Sequence, residues 1–92
     1  MKPFAVFEGT TDEDGKFSKF DIPGKRRHRF RVVMWIKTNN DTRLEHDFST
    51  KQPCRFTDFM TQIVKPAVDE IIAEAAQHGG TKRYGFSCFK WG

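Results

Sequence analysis

The chain has 92 residues, with 16 Lys or Arg against 12 Asp or Glu and a formal net charge of +4. That length makes one domain, residues 1–92, which buries roughly 60–65% of its unfolded surface, so the small core has to be dense in aromatic side chains; 10 Phe and 2 Trp meet that need. No stretch approaches the ~20 apolar residues of a membrane helix, and Met1-Lys2-Pro3 leads into a strand pattern without an apolar leader, so neither a membrane protein nor a secreted one is expected.

Phe4-Ala5-Val6-Phe7-Glu8 is a short, aromatic-rich run that predicts a first strand. Gly9 to Gly15 is polar and acidic, and Asp14-Gly15 is hairpin-turn chemistry. Lys16 to Ile22 predicts a second, weaker strand, ended by Pro23-Gly24. The run from Lys25 to Lys37 then carries six basic side chains (Lys25, Arg26, Arg27, Arg29, Arg31, Lys37) and no acid. Its second half alternates. Side chains on a strand point to opposite faces with period 2, which sets Phe30, Val32, Met34 and Ile36 on a core face and Arg29, Arg31, Val33, Trp35 and Lys37 on the other. Asn39-Asn40-Asp41 is turn chemistry, because these residues tolerate positive φ and bond their own backbone. Arg43 to Phe48 alternates again, with Leu44, His46 and Phe48 inward, so the two strands are expected as an antiparallel hairpin.

Ser49 to Pro53 reads as a loop, after which the period changes. Phe56, Phe59, Met60, Ile63, Val64, Ala67, Val68, Ile71, Ile72 and Ala75 recur at steps of three and four, predicting an amphipathic helix over about 55–78. Gly79-Gly80 ends it, since glycine takes the left-handed position beyond the last turn without a Cβ clash. Pro66 lacks the N–H that would bond four residues back, so a bend is expected near 62–66. Thr81 to Gly92 is the last strand, with Tyr84, Phe86 and Cys88 on one face and Arg83, Gly85, Ser87, Phe89 and Trp91 on the other. The order is β-β-β-β-α-β. It predicts an α+β domain, a mainly antiparallel sheet of four to five strands with one long, Pro-kinked helix on the face of Phe30, Val32, Met34 and Ile36.

Between Asp58 and Glu74 the helix carries four acids and one Lys, so its outer side is acidic. The positive surface is therefore expected on the open sheet face or along Lys25–Arg29. Arg and Lys neutralise phosphate and aromatic rings offer stacking platforms, so Lys25, Arg26, Arg27, Arg29, Arg31, Trp35, Lys37, Lys82 and Arg83 are the candidate partner-binding residues. His28, His46 and His78 come from three elements without metal-ligand spacing, and Asp12-Glu13-Asp14 lacks the spacing of a calcium loop. Asp69 and Glu70 diverge by roughly 100° on a helix, so they make no carboxylate dyad. No catalytic fingerprint occurs, and an enzyme, a metal, a cofactor and a small-molecule substrate are all unexpected. Cys54 and Cys88 lack CxxC spacing and are expected as reduced thiols.

Lys82-Arg83-Tyr84-Gly85-Phe86-Ser87-Cys88-Phe89 is similar to the RNP1 octapeptide of RNA-recognition motifs, but Arg83 stands where that motif has Gly and Ser87 where it has an aliphatic. Carried over, the stacking pair would be Tyr84 and Phe86; the alternation instead puts both under the helix, as an aromatic core strand. The whole chain resembles the small phage-encoded anti-CRISPR proteins directed at type I CRISPR surveillance complexes. The likeness lies in its length, a sheet with one helix, no catalytic motif and segregated charge, with Lys25-Arg26-Arg27-His28-Arg29 and Trp35 as the distinctive part. The resemblance implies a binding protein of the host cytoplasm that docks on an RNA-guided complex, contacts guide RNA or protein subunits, and blocks target DNA. Many such inhibitors are acidic and mimic DNA; a basic one would instead touch the guide RNA backbone or an acidic protein patch. The alternative is a general accessory protein for single-stranded nucleic acid.

Overall fold

A computed structural model of the protein describes residues 2–10 and 25–91. The expected strand at 16–22, the acidic turn before it and Pro23-Gly24 lie outside these residues. Five strands form the sheet: β1 (Ala5–Thr10), β2 (Arg27–Thr38), β3 (Arg43–Ser49), β4 (Cys54–Arg55) and β5 (Thr81–Trp91). The order across it is β1-β5-β2-β3, with β4 paired to the start of β2, and every pairing is antiparallel. Between β4 and β5 runs one helix of 21 residues, α1, with α-helical Phe56–Phe59, π-helical Met60–Val64 and α-helical Lys65–Ala76 segments. The domain is thus α+β, with the helix packed on one sheet face. No helix among the described residues is long and apolar enough to cross a membrane.

β2 is the central strand, and its alternation decides the core. Phe30, Val32, Met34 and Ile36 are all buried beneath the helix, joined by Ala5 and Phe7 of β1, Phe86 and Cys88 of β5, and Phe56, Phe59, Val64, Ile71 and Ala75 of α1. At one end the rings of Phe4, Phe30, Phe56 and Phe59 interlock, Phe30 lying parallel to Phe59 and Phe4 edge-on to Phe56 at 5.3 Å. Such pairs add about 0.5–1.5 kcal/mol beyond the area they bury. At the other end Phe7 packs on Tyr84 and Phe86. The tyrosine ring lies over Gly9, where a Cβ would sit 2.8 Å from its Cζ. Cys54 and Cys88 are free thiols.

The β2–β3 turn holds Asp41 at φ 65°, and Thr38, buried there, is satisfied by Asn40 Oδ1 at 2.6 Å and the Thr42 carbonyl at 3.0 Å. The helix ends as expected at two glycines with positive φ, 85° and 92°. The same turn clamps this end: Asn39 Nδ2 donates to Gly79 O at 2.8 Å and Asn39 N to Gly80 O at 2.9 Å.

Two expectations need correction. Between the expected loop Ser49–Pro53 and the helix stands β4, a two-residue strand that takes Arg55, expected at the start of the helix, into the sheet; Thr50 leads toward it by accepting from Phe30 N on its hydroxyl and donating its own N–H to Phe30 O. The second concerns helix phase. At the expected bend near 62–66 the irregularity is the π-helical turn, with Lys65 N–H bonded to Met60 O. Pro66 then stands in the first turn of the following α segment, directly after the wide turn, and has no N–H to give to a carbonyl of the preceding turn. The wide turn spends one extra residue, so Val64 follows Phe59 onto the sheet and Ile63 rotates outward to 51% exposure. Ile72, at 50%, also leaves the expected stripe.

Candidate functional site

The face of the sheet away from α1 is set by pairing register. Across β5, β2 and β3, Trp91 stands beside Arg29, and Phe89 beside Arg31 and Ser49. Next come Ser87 with Val33 and Asp47, Gly85 with Trp35 and Glu45, and Arg83 with Lys37 and Arg43. Arginines therefore share this face with acids from both edge strands.

Most of the arginines are already engaged. Arg31 grips Asp47 with two nitrogens, Nη2 at 2.5 Å and Nε at 3.0 and 3.1 Å, the strongest geometry for such a pair. Hydrogen bonding to Asp47, with its charge, holds the Arg31 guanidinium above its usual range. Arg43 lies 3.6 Å from Glu45, Arg83 3.9 Å from Glu8, Lys82 4.0 Å from Asp41 and Arg55 2.9 Å from Asp58. On the open face Arg31, Arg43 and Arg83 thus each have an acid within 4.0 Å, while Lys37 has none among the described residues. This corrects the picture of one basic strand face: Arg31 and Arg83 carry their counter-ions with them.

The exception is the corner where β2 begins. Lys25, Arg26, Arg27 and Arg29 are exposed, and none has an acidic partner within 4.0 Å among the described residues. Lys90, exposed on β5, reaches the Phe4 ring at 5.5 Å at the same end, opposite Phe30 in register. Arg29 sets its guanidinium 5.5 Å from the centre of the Trp91 ring. Positive charge gathers here because β2 enters the sheet at this end, past the acids of β3 and β1.

Of the nine residues singled out from the sequence, four form this corner. Arg31 stands beside them but is paired. Trp35 is half-buried: its indole lies flat over Gly85, where a Cβ would sit 2.5 Å from its Cε2, and Arg43 covers it at 5.3 Å. Lys37, Lys82 and Arg83 are at the far end of the same strands, roughly 26 Å away at 3.3 Å per residue. They share no small site with Arg29. Lys82 is the residue skipped where the β2–β5 register shifts. Tyr84 and Phe86, the stacking pair by the RNP1 likeness, face the helix, with Phe86 buried and Tyr84 half-buried.

Trp91 was not singled out. Alternation along β5 puts it on the open face, but its place beside Arg29 follows only from the register of two strands far apart in sequence.

Among the described residues no three His, Cys, Asp or Glu side chains come together to hold a metal ion. Burial pushes the Cys88 thiol up to about 12, which leaves it un-ionised at neutral pH and a poor nucleophile. Against models of known protein families, against curated proteins and against solved structures, the chain has no match.

Proposed function

We propose that this is a non-catalytic binding protein that engages a nucleic-acid backbone through the corner formed by Lys25, Arg26, Arg27 and Arg29. The observation that carries this reading is the contrast in pairing. Elsewhere on the sheet the arginines sit within 4.0 Å of a carboxylate, whereas these four side chains repel one another without a described counter-ion. Unpaired, exposed, clustered positive charge is the electrostatic footprint of a phosphate-binding surface. The setting we propose is that of a phage-encoded anti-CRISPR protein in the host cytoplasm. Docked on a type I surveillance complex, the corner would lie along the guide RNA and the body of the domain would stand in the way of target DNA. The acidic outer side of α1, where Asp69, Glu70 and Glu74 are exposed, would point away from the strand.

The test is a pull-down of the loaded ribonucleoprotein and of naked guide RNA at rising salt. The proposal expects the assembled complex to be retained at salt that strips naked RNA, because bare phosphate contacts weaken steeply with salt. Arg27→Ala with Arg29→Ala should release the complex, while Asp69→Ala with Glu74→Ala should not. Equal retention of naked RNA and complex would favour a general single-strand-binding protein. Loss of binding in the helix variant alone would refute the assigned surface.

A further inference from the structure

From the Arg29–Trp91 stack we infer that the corner takes single-stranded RNA by one stacked base as well as by phosphate, with Trp91 as the platform. The inference rests on the nucleic-acid reading above and adds to it a base contact and a residue. Three observations carry it.

The first is juxtaposition. Trp91 is the register partner of Arg29, and the guanidinium lies 5.5 Å from the ring centre. A planar cation over an indole holds the position that the face of a base would take. Among the described residues no carboxylate lies within 4.0 Å of Arg29 to hold it there. It can turn to the phosphate of the incoming nucleotide and expose the ring to that nucleotide's base.

The second is elimination among the rings. Trp35 lies on Gly85 beneath Arg43, and Arg43 has the Glu45 carboxylate 3.6 Å away. Tyr84 and Phe86 face the core. Phe89 is the next open-face residue along β5 from Trp91, but its neighbour across the strand is the paired Arg31. Lys90 also reaches a ring, that of Phe4 at 5.5 Å, but Phe4 packs edge-on to Phe56 against the core. Among the described residues Trp91 is the open-face ring that lies beside an arginine with no carboxylate within 4.0 Å.

The third is strandedness. A base can lie on Trp91 only when it is unstacked and unpaired, which a single strand permits and a duplex does not. A glutamate carboxylate could pair with the same charges but offers no planar aromatic face to lie on the ring.

The experiment titrates the intact protein at low salt with three fluorescent probes: an eight-nucleotide oligouridylate, an abasic oligomer of the same length, and a polyglutamate peptide of matching charge. Wild type should bind oligouridylate about ten-fold or more tighter than the abasic oligomer, the contribution of one stacked base. Trp91→Ala and the milder Trp91→Leu should bring oligouridylate down to the abasic level and leave abasic binding where it was. Wild-type binding of oligouridylate no tighter than of either other probe overturns the inference without recourse to any variant. So does a Trp91→Leu protein, folded by its thermal midpoint, that keeps the wild-type ratio. If Arg27→Ala with Arg29→Ala weakens all probes while the base preference is absent, the stacking inference falls and the backbone reading stands. If that double variant changes nothing, the backbone reading falls too.

Discussion

Ile63 and Ile71 have the same side chain and lie on the same helix, yet the π-helical turn gives them opposite fates. Ile71 is 4% exposed and Ile63 is 51% exposed. Truncation to Ala removes three carbons, about 2.4 kcal/mol of transfer free energy at ~0.8 kcal/mol each if the site is fully buried. At Ile71 a cavity adds to this, giving the 2–5 kcal/mol typical of buried aliphatic truncations. At Ile63 only about half of the transfer applies, water fills the space, and Ala returns a few tenths of a kcal/mol in helix propensity, leaving about 1 kcal/mol or less. Urea titration followed by circular dichroism measures the difference. With a slope of about 1 kcal/mol/M, Ile71→Ala should lower the midpoint by about 2 M or more and Ile63→Ala by about 1 M or less, at unchanged slope. Equal shifts would mean that the helix keeps an unbroken α phase in solution, with Ile63 inside, and the account of the wide turn would be wrong.

Gly85→Ala should destabilise by about 1–3 kcal/mol, as overpacking does, and shift the indole emission, because the new Cβ meets Trp35 at contact distances too short to persist; unchanged emission and midpoint would remove Trp35 from that position. Cys88 gives an alkaline signature. Its thiol is raised from 9.0 to about 12 in the folded chain, so below pH 9.0 neither state ionises and the group adds no pH dependence. As pH rises from 9.0 toward about 12 only the unfolded chain ionises, and stability falls by up to about 1.4 kcal/mol per pH unit. Comparing the alkaline slopes of wild type and Cys88→Ala checks this, and Cys54 should be alkylated in the native protein long before Cys88; comparable labelling of both would contradict the burial of Cys88.

The parts of the fold that were readable are those where one local rule acts alone. Alternation along β2, β3 and β5 assigned Phe30 to Ile36, Leu44 to Phe48 and Phe86 with Cys88 to the correct sides. Gly79 and Gly80 ended the helix, and the Asn39–Asp41 turn fell where its chemistry put it. The helix phase was not readable because apolar residues occupy both competing positions. Ile63 continues an α stripe, Val64 continues a stripe with a π-helical turn, and only packing against the sheet chooses between them. β4 was too short to show a period. For the site, the sequence supplied the charges but not their partners. Asp47 stands beside Val33 in register and so diagonal to Arg31, a neighbour relation that exists only once β2 and β3 are paired.

That diagonal contact makes a prediction in the direction of gain. If the corner attracts phosphate because its cations are unpaired, then freeing the next cation along the strand should extend it. Asp47→Asn keeps the size but replaces one acceptor oxygen with a donor and removes the charge that occupies Arg31. Arg31 is two residues from Arg29 on the same face, about 7 Å, which is close to the spacing of successive phosphates in an extended strand. The variant should bind an oligonucleotide more tightly at low salt. The slope of log affinity against log salt should steepen by about 0.7, the increment for one more phosphate on a single strand. Arg31→Ala in the wild-type background should weaken binding far less than Arg29→Ala, since it removes a charge already neutralised. Fluorescence titrations across a salt series measure both quantities. An Arg31→Ala loss as large as that of Arg29→Ala, with no steepening in Asp47→Asn, would mean that the ion pair opens freely for a partner. The division of this face into paired and unpaired arginines would then have no bearing on binding.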